Sequence, residues 1–365
     1  MNVNDRLRSA RESLNLTLSE TKVQTGIGES SLSDFENGKR TPSLGQLHKL
    51  ASAYKRTLSF FLEDSAVSPE VILWRKRPQE GAEQIEAHFR KLCERYYNLE
   101  VWTGDVRKAC LPEAKGEAPD FGYREATVLA KNVRDILQLG DHPGPSLLPV
   151  LEESCGVKIF HLDFEPSGTA ASARSDRFGA AILLNSKNKR WRRNFDLAHE
   201  LFHLLTWNIF TPAAEVAEDD EKIEKLATCF ARNLLMPAES LRTAIDTRQS
   251  GGKLKYESFF DIAREFDVSV EALVRHIGFV WRLTKEETES MVTAAESWRR
   301  FLEDRVDSSP PPYPERYRTL AVKALHRGEM SIGRFAEYLG ISRQKAMMYL
   351  EQETLNHEEI QVPPA

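Results

Sequence analysis

Asn194-Phe195-Asp196-Leu197-Ala198-His199-Glu200-Leu201-Phe202-His203-Leu204-Leu205 is the stretch on which the reading of this chain turns. Phe195, Ala198, Leu201, Phe202 and Leu205 recur at helical spacing, which predicts a buried helix within 191–207. Residues four apart share a helix face, so His199 and His203 can each turn a ring nitrogen to one ion, with Glu200 beside them. A catalytic metal site needs a third protein ligand and one open position. A second helical pattern, Glu221–Met236, carries the apolar stripe Ile223, Leu226, Ala227, Phe230, Ala231, Leu234 and Leu235, with Glu224 at its edge. A carboxylate there would be costly to bury unpaired, and Zn2+ would neutralise it. Asp219, Asp220 and Glu221 are nearby alternatives. With His199, His203 and Glu224 as ligands, Glu200 becomes the proton carrier between an attacking water and the leaving amine of an amide. No residue is selected to meet the developing oxyanion; His161, Tyr256 and His276 are candidates.

Working outward, helices are expected near 124–139 and 147–154, and strands at Val157–Leu162 and Ala180–Leu184. Together with the two metal-site helices they make an α+β unit. Upstream, Ala82–Trp102 reads as one long helix whose Ile85, Phe89, Leu92, Tyr96 and Leu99 form a heptad-like seam. That seam would pack on a neighbouring domain or join two copies as a homodimer. The stretch 104–122 is rich in Gly, Pro and charge and reads as linker, and Ser308–Pro314 is a second break. Beyond it, helices around Leu339-Gly340-Ile341-Ser342 form a turn-containing module that would read DNA or dock on protein. The basic cluster Lys187, Lys189, Arg190, Arg192 and Arg193 reads as a solvated face or as a seat for a nucleic-acid effector.

The first 62 residues hold five short helical patterns, with Thr17 capping the second and Pro42-Ser43 opening the fourth. The division expected is therefore 1–64, an all-α domain; 65–122, a linker with a long helix; 123–285, the α+β domain with the metal site; and 286–365, a helical C-terminal module. The 365 residues carry 50 basic against 55 acidic side chains, a net −5, which argues against a nucleic-acid coat and confines such binding to one patch. No run approaches the roughly eighteen apolar residues of a membrane span, and no secretory signal opens the chain. Four scattered cysteines without C-x-x-C spacing fit a reducing cytoplasm and no cysteine-built zinc site.

The pair of segments Arg192–Leu205 and Glu224–Pro237, with the strand 180–185 before them, resembles the ImmA/IrrE family of zinc metallopeptidases. The resemblance covers about Tyr123 to Val280 and implies a zincin-like α+β fold. It implies ligands at His199, His203 and Glu224 and a catalytic acid/base at Glu200. Phe202 stands where the family usually has Gly, a bulk that would narrow the site, and Thr228 where Asn or Asp commonly supports the Glu ligand. The N-terminal run Leu16–Glu20 with Thr25–Leu44 resembles the lambda-repressor-like, XRE-type helix-turn-helix family. That implies a reading helix from Glu29 to Asn37, with Ser30, Ser31, Ser33 and Asp34 facing base edges and Lys39 and Arg40 on phosphate.

The two resemblances together imply a cytoplasmic regulator. It would sit on operator DNA and cleave itself or a partner helix-turn-helix repressor after a stress or DNA-damage signal. The alternative is a non-catalytic regulator whose peptidase-like domain senses a ligand or metal.

Overall fold

The structure, a computed structural model, describes residues 2–14, 16–62, 71–107, 110–165, 169–210, 220–249, 254–302 and 309–356. Five helices come first: α1 (Val3–Glu12), α2 (Leu18–Thr25), α3 (Glu29–Glu36), α4 (Leu44–Ala53) and α5 (Leu58–Leu62). Local chemistry sets their ends. The Thr17 hydroxyl accepts the Glu20 N–H, and the Glu20 carboxylate accepts the Thr17 N–H at 2.7 Å, a reciprocal cap on α2. Gly26 ends that helix at φ +70°, a conformation that costs glycine little. Ser43 and Gln46 cap α4 in the same way. Leu7, Ala10, Leu32, Phe35, Leu47 and Leu50 close a small core.

The middle of the chain builds a sheet and its helices. In order come β1 (Val71–Trp74), α6 (Ala82–Thr103), α7 (Tyr123–Ile136), α8 (Gly144–Pro149), β2 (Lys158–Leu162), β3 (Ala170–Ser175) and β4 (Gly179–Asn185). Then follow α9 (Arg190–Leu205), α10 (Trp207–Phe210), α11 (Asp220–Leu235), α12 (Ala238–Asp246), α13 (Tyr256–Glu265), α14 (Val270–Val280) and α15 (Lys285–Leu302). The last helices are α16 (Glu315–His326), α17 (Ile332–Leu339) and α18 (Arg343–Asn356). The sheet order is β1-β3-β4-β2, with β2 parallel to β4 and the other pairs antiparallel.

The sheet is buried on both faces, and side-chain alternation divides the two cores. Ala170, Ile182, Leu184 and Ile159 join the core under α9, α11 and α7. Ala171, Ala173, Leu183 and Phe160 face α6, α16 and α17. The expected seam on α6 is spent here: Phe89, Leu92, Tyr96 and Leu99 are buried in this second core rather than left for a second copy. The 65–122 stretch, read as a linker with a long helix, therefore contributes a strand as well as that helix to the sheet's own layers.

The sequence reading named neither the strands β1 and β3 nor the helices α10 and α12 to α15. The C-terminal module closes the second face of the sheet, with Tyr317, Leu320, Phe335 and Ala346 buried against it. Arg316 pairs with buried Glu100 on α6, Arg327 donates to the Thr103 carbonyl and Arg95 pairs with Glu337. No helix of the described residues is long and apolar enough to cross a membrane.

Candidate active site

Helix α9 lies in the first core with 14 of its 16 residues buried, because its apolar positions face the sheet on one side and α11 on the other. His199 and His203 stand one turn apart on it. Helix α11 packs across α9 and brings Glu224 between them. His199 Nε2 is 3.0 Å from Glu224 Oε2, and His203 Nε2 is 3.3 Å from Oε1. One ligand atom from each residue lies within 4.8 Å of the others. Of the alternatives, Glu221 is turned outward and pairs with Lys225 at 2.7 Å. Asp219 and the side chain of Asp220 lie outside the described residues.

Electrostatics fit a site built around a cation. Burial pushes the His199 ring down to about 3, against the opposing pull of Glu224. Burial also works against charge on His203, yet the Glu224 and Glu200 carboxylates outweigh it and raise that ring. Glu224 is drawn down to about 2 because the two histidines outweigh its own desolvation. Glu200 is fully buried; that burial pushes it up to about 8, and neither oxygen has a hydrogen-bond partner among the described residues. Two imidazoles and a carboxylate form a donor set suited to a divalent ion, which takes the rings in their neutral form, with Glu200 as the unpartnered group beside it.

Asp196 and Arg75 were not singled out in the sequence. Asp196 lies one helical turn before Glu200 and is fully buried. It accepts from Arg75 Nη1 at 2.7 Å, from Arg192 Nε at 3.0 Å and from Asn188 Nδ2 at 2.9 Å. Arg75 follows β1 directly, and its N–H donates to the Ala170 carbonyl. Its positive charge opposes protonation of both histidines. The sequence did carry one signal, a lone Asp on the buried face of an apolar helix. Its partner, 121 residues upstream, could not be read.

A cavity of about 370 Å³ opens at Glu224, walled by Arg75, Tyr123, Thr228, Asn233 and His276. Among the three oxyanion candidates only His276 lines it. His276 Nε2 lies 2.8 Å from the Met236 carbonyl, which fixes the ring proton there. Burial pushes the ring down to about 4, which leaves its other nitrogen, Nδ1, a buried acceptor rather than a donor for an oxyanion. His161 belongs to a different cavity, and Tyr256 lines neither. The Phe202 ring packs on Phe121, Phe210 and Phe230 and also meets the His203 ring edge-on at 5.8 Å between centroids.

Of the basic cluster, Lys187, Lys189 and Arg190 are exposed, Arg192 is half-buried and Arg193 is buried. Lys187 pairs with Asp163 and Glu165, Arg190 with Asp267 and Arg192 with Asp196, while Arg193 donates to the Asn188 carbonyl. In the N-terminal domain Ser30, Lys39 and Arg40 are exposed, and Ser31, Ser33 and Asp34 are half-buried. Asn37 Nδ2 donates to Ser33 Oγ at 3.2 Å. Lys22 pairs with Glu29 at 3.1 Å, which offsets the acid at the start of α3.

Residues 152–277 match the family model of the IrrE N-terminal-like domain, a peptidase family, and residues 7–61 match the helix-turn-helix model. The chain thus carries an XRE-type helix-turn-helix followed by an ImmA/IrrE-like peptidase domain. That pairing fits a DNA-binding regulator with a metallopeptidase-type domain acting on protein. No curated protein matches the chain.

Proposed function

We propose that this chain is a DNA-binding regulator whose zinc-dependent peptidase domain hydrolyses a peptide bond in a regulator protein. The substrate is the chain itself or a partner helix-turn-helix repressor, and a stress or DNA-damage signal sets the reaction off. The observation that carries this reading is one carboxylate, Glu224, within 3.0 and 3.3 Å of two histidines on another helix, with Glu200 buried alongside. His199, His203 and Glu224 would hold the ion, which supplies Lewis acidity and an activated water when bound.

The chain's own groups do the rest. Glu200 moves the proton from water to the departing amine. Arg75, on the cavity wall and steadied by Asp196, supplies the positive charge a developing oxyanion needs. In the N-terminal domain Ser30, Ser31, Ser33 and Asp34 would face bases, and Lys39 and Arg40 phosphate.

The test is metal analysis of the purified chain, then incubation with the regulator encoded beside it. One zinc per chain and cleavage by the natural sequence but not by Glu200→Gln support the reading. Cleavage retained in Glu200→Gln overturns the role of Glu200, and a metal-free chain that still cleaves overturns the site.

A further inference from the structure

A second cavity, of about 330 Å³, shares no lining residue with the first. It is walled by Leu148 and Pro149 at the end of α8, by Ile159 and His161 on β2, by Leu197 on α9 and by the proline run that leads into α16. Glu152 lines it and is only 5% exposed. One carboxyl oxygen, Oε1, has no hydrogen-bond partner among the described residues. Leaving a buried acceptor unmet is costly, more so for a group that can carry charge.

We propose that this cavity is a binding site for a small organic cation, a flat amidine- or aminoheterocycle-like molecule whose protonated nitrogen pairs with Glu152 while its body lies among the apolar walls. The site stands apart from the peptidase reading and does not depend on it. The cavity's own cations do not fill the need: Arg190 is paired with Asp267 at 2.9 Å, and Arg193 donates to the Asn188 carbonyl. His161 adds no competing charge, since burial, reinforced by Arg193, pushes its ring down to about 4. The neighbours of Glu152 sharpen the demand. Burial first, then Glu153 and Glu315, pushes its carboxyl up to about 8, and the Arg316 backbone N–H only partly offsets them. The volume lies within the range of small-ligand pockets.

Titration calorimetry of the full chain with benzamidine, benzamide and benzoate tests the proposal. Benzamidine should bind about tenfold tighter than its neutral amide analogue, the worth of one charge-assisted hydrogen bond, and benzoate should not bind. Glu152→Gln should bring benzamidine down to the benzamide level. Leu148→Trp, which fills the cavity, should remove binding, with thermal unfolding of both variants confirming that they fold. Glu200→Gln should bind benzamidine as the natural chain does, so failure of the peptidase reading and failure of this site are told apart. Equal binding of benzamidine and benzamide, binding that survives either cavity substitution, or no benzamidine heat at millimolar concentration overturns the proposal.

Discussion

Glu200 and Glu152 are both buried carboxyls pushed up to about 8, but substitution should affect them differently. Glu200→Gln keeps the shape and removes the group proposed to carry the proton. Peptidase turnover should fall by about 10²–10⁴-fold, with zinc per chain unchanged by atomic absorption. His203→Ala or Glu224→Ala should instead lower the zinc content. For Glu152 the readout is stability. The folded chain keeps this proton in a pH range where the unfolded chain has released it, so stability is lost as pH rises from the ordinary carboxyl range to about 8, then levels off. The groups that set this are Glu153, Glu315 and Arg316, with Tyr96 of α6 facing them. Denaturant unfolding at pH 5 and pH 8 should show that loss in the natural chain and a smaller one in Glu152→Gln. An equal loss in both would assign it to other groups.

Among the elements, α9, α11, β2 and β4 were legible because their apolar positions repeat at 3.6 residues or run unbroken. Strand β3 was not, since Ala170-Ala171-Ser172-Ala173 is built of small residues with weak strand preference. Its pairing with β1 and β4 on both sides makes it a strand. Strand β1 is four residues beside a charged run, too short for its alternation to stand out. The α6 seam was legible as a seam but not for its partner, because heptad spacing says that a face is covered and not by what. Phe89→Ala should cost about 3–5 kcal/mol of stability. Sedimentation should show the oligomeric state unchanged, as expected where Phe89 packs inside one chain. Gly144→Ala should also destabilise, since a Cβ there would meet the Phe266 carbonyl oxygen at 2.7 Å.

Across the whole molecule, α6 joins the two functional ends. Glu94, fully buried, accepts from Arg56 at 2.9 Å and from the Thr57 N–H at 3.0 Å, while Ala87 enters the core of the N-terminal domain. The opposite face of the same helix lies on the sheet behind the metal helix. Glu94→Ala should remove an acceptor of Arg56 and of the Thr57 N–H, lower stability and make the five-helix domain separable by brief proteolysis. Charge arithmetic could not foresee this. Of the nine basic side chains in residues 1–62, Arg6, Arg11 and Arg56 are committed to Phe60, Glu36 and Glu94, and Arg8 and Lys22 pair with Glu36 and Glu29. Lys39, Arg40, Lys49 and Lys55 remain for phosphate, so the salt dependence of operator binding should be shallow.

The place of β1 limits how this chain can be trimmed for study. A fragment begun at Tyr123, or at the first residue of the peptidase match, loses the strand that covers Ala170–Ser175 and the arginine that follows it. The bared rim of backbone amides and carbonyls would invite a second fragment to pair with it, and such preparations should precipitate or oligomerise. Expression boundaries that begin before Val71 avoid that hazard.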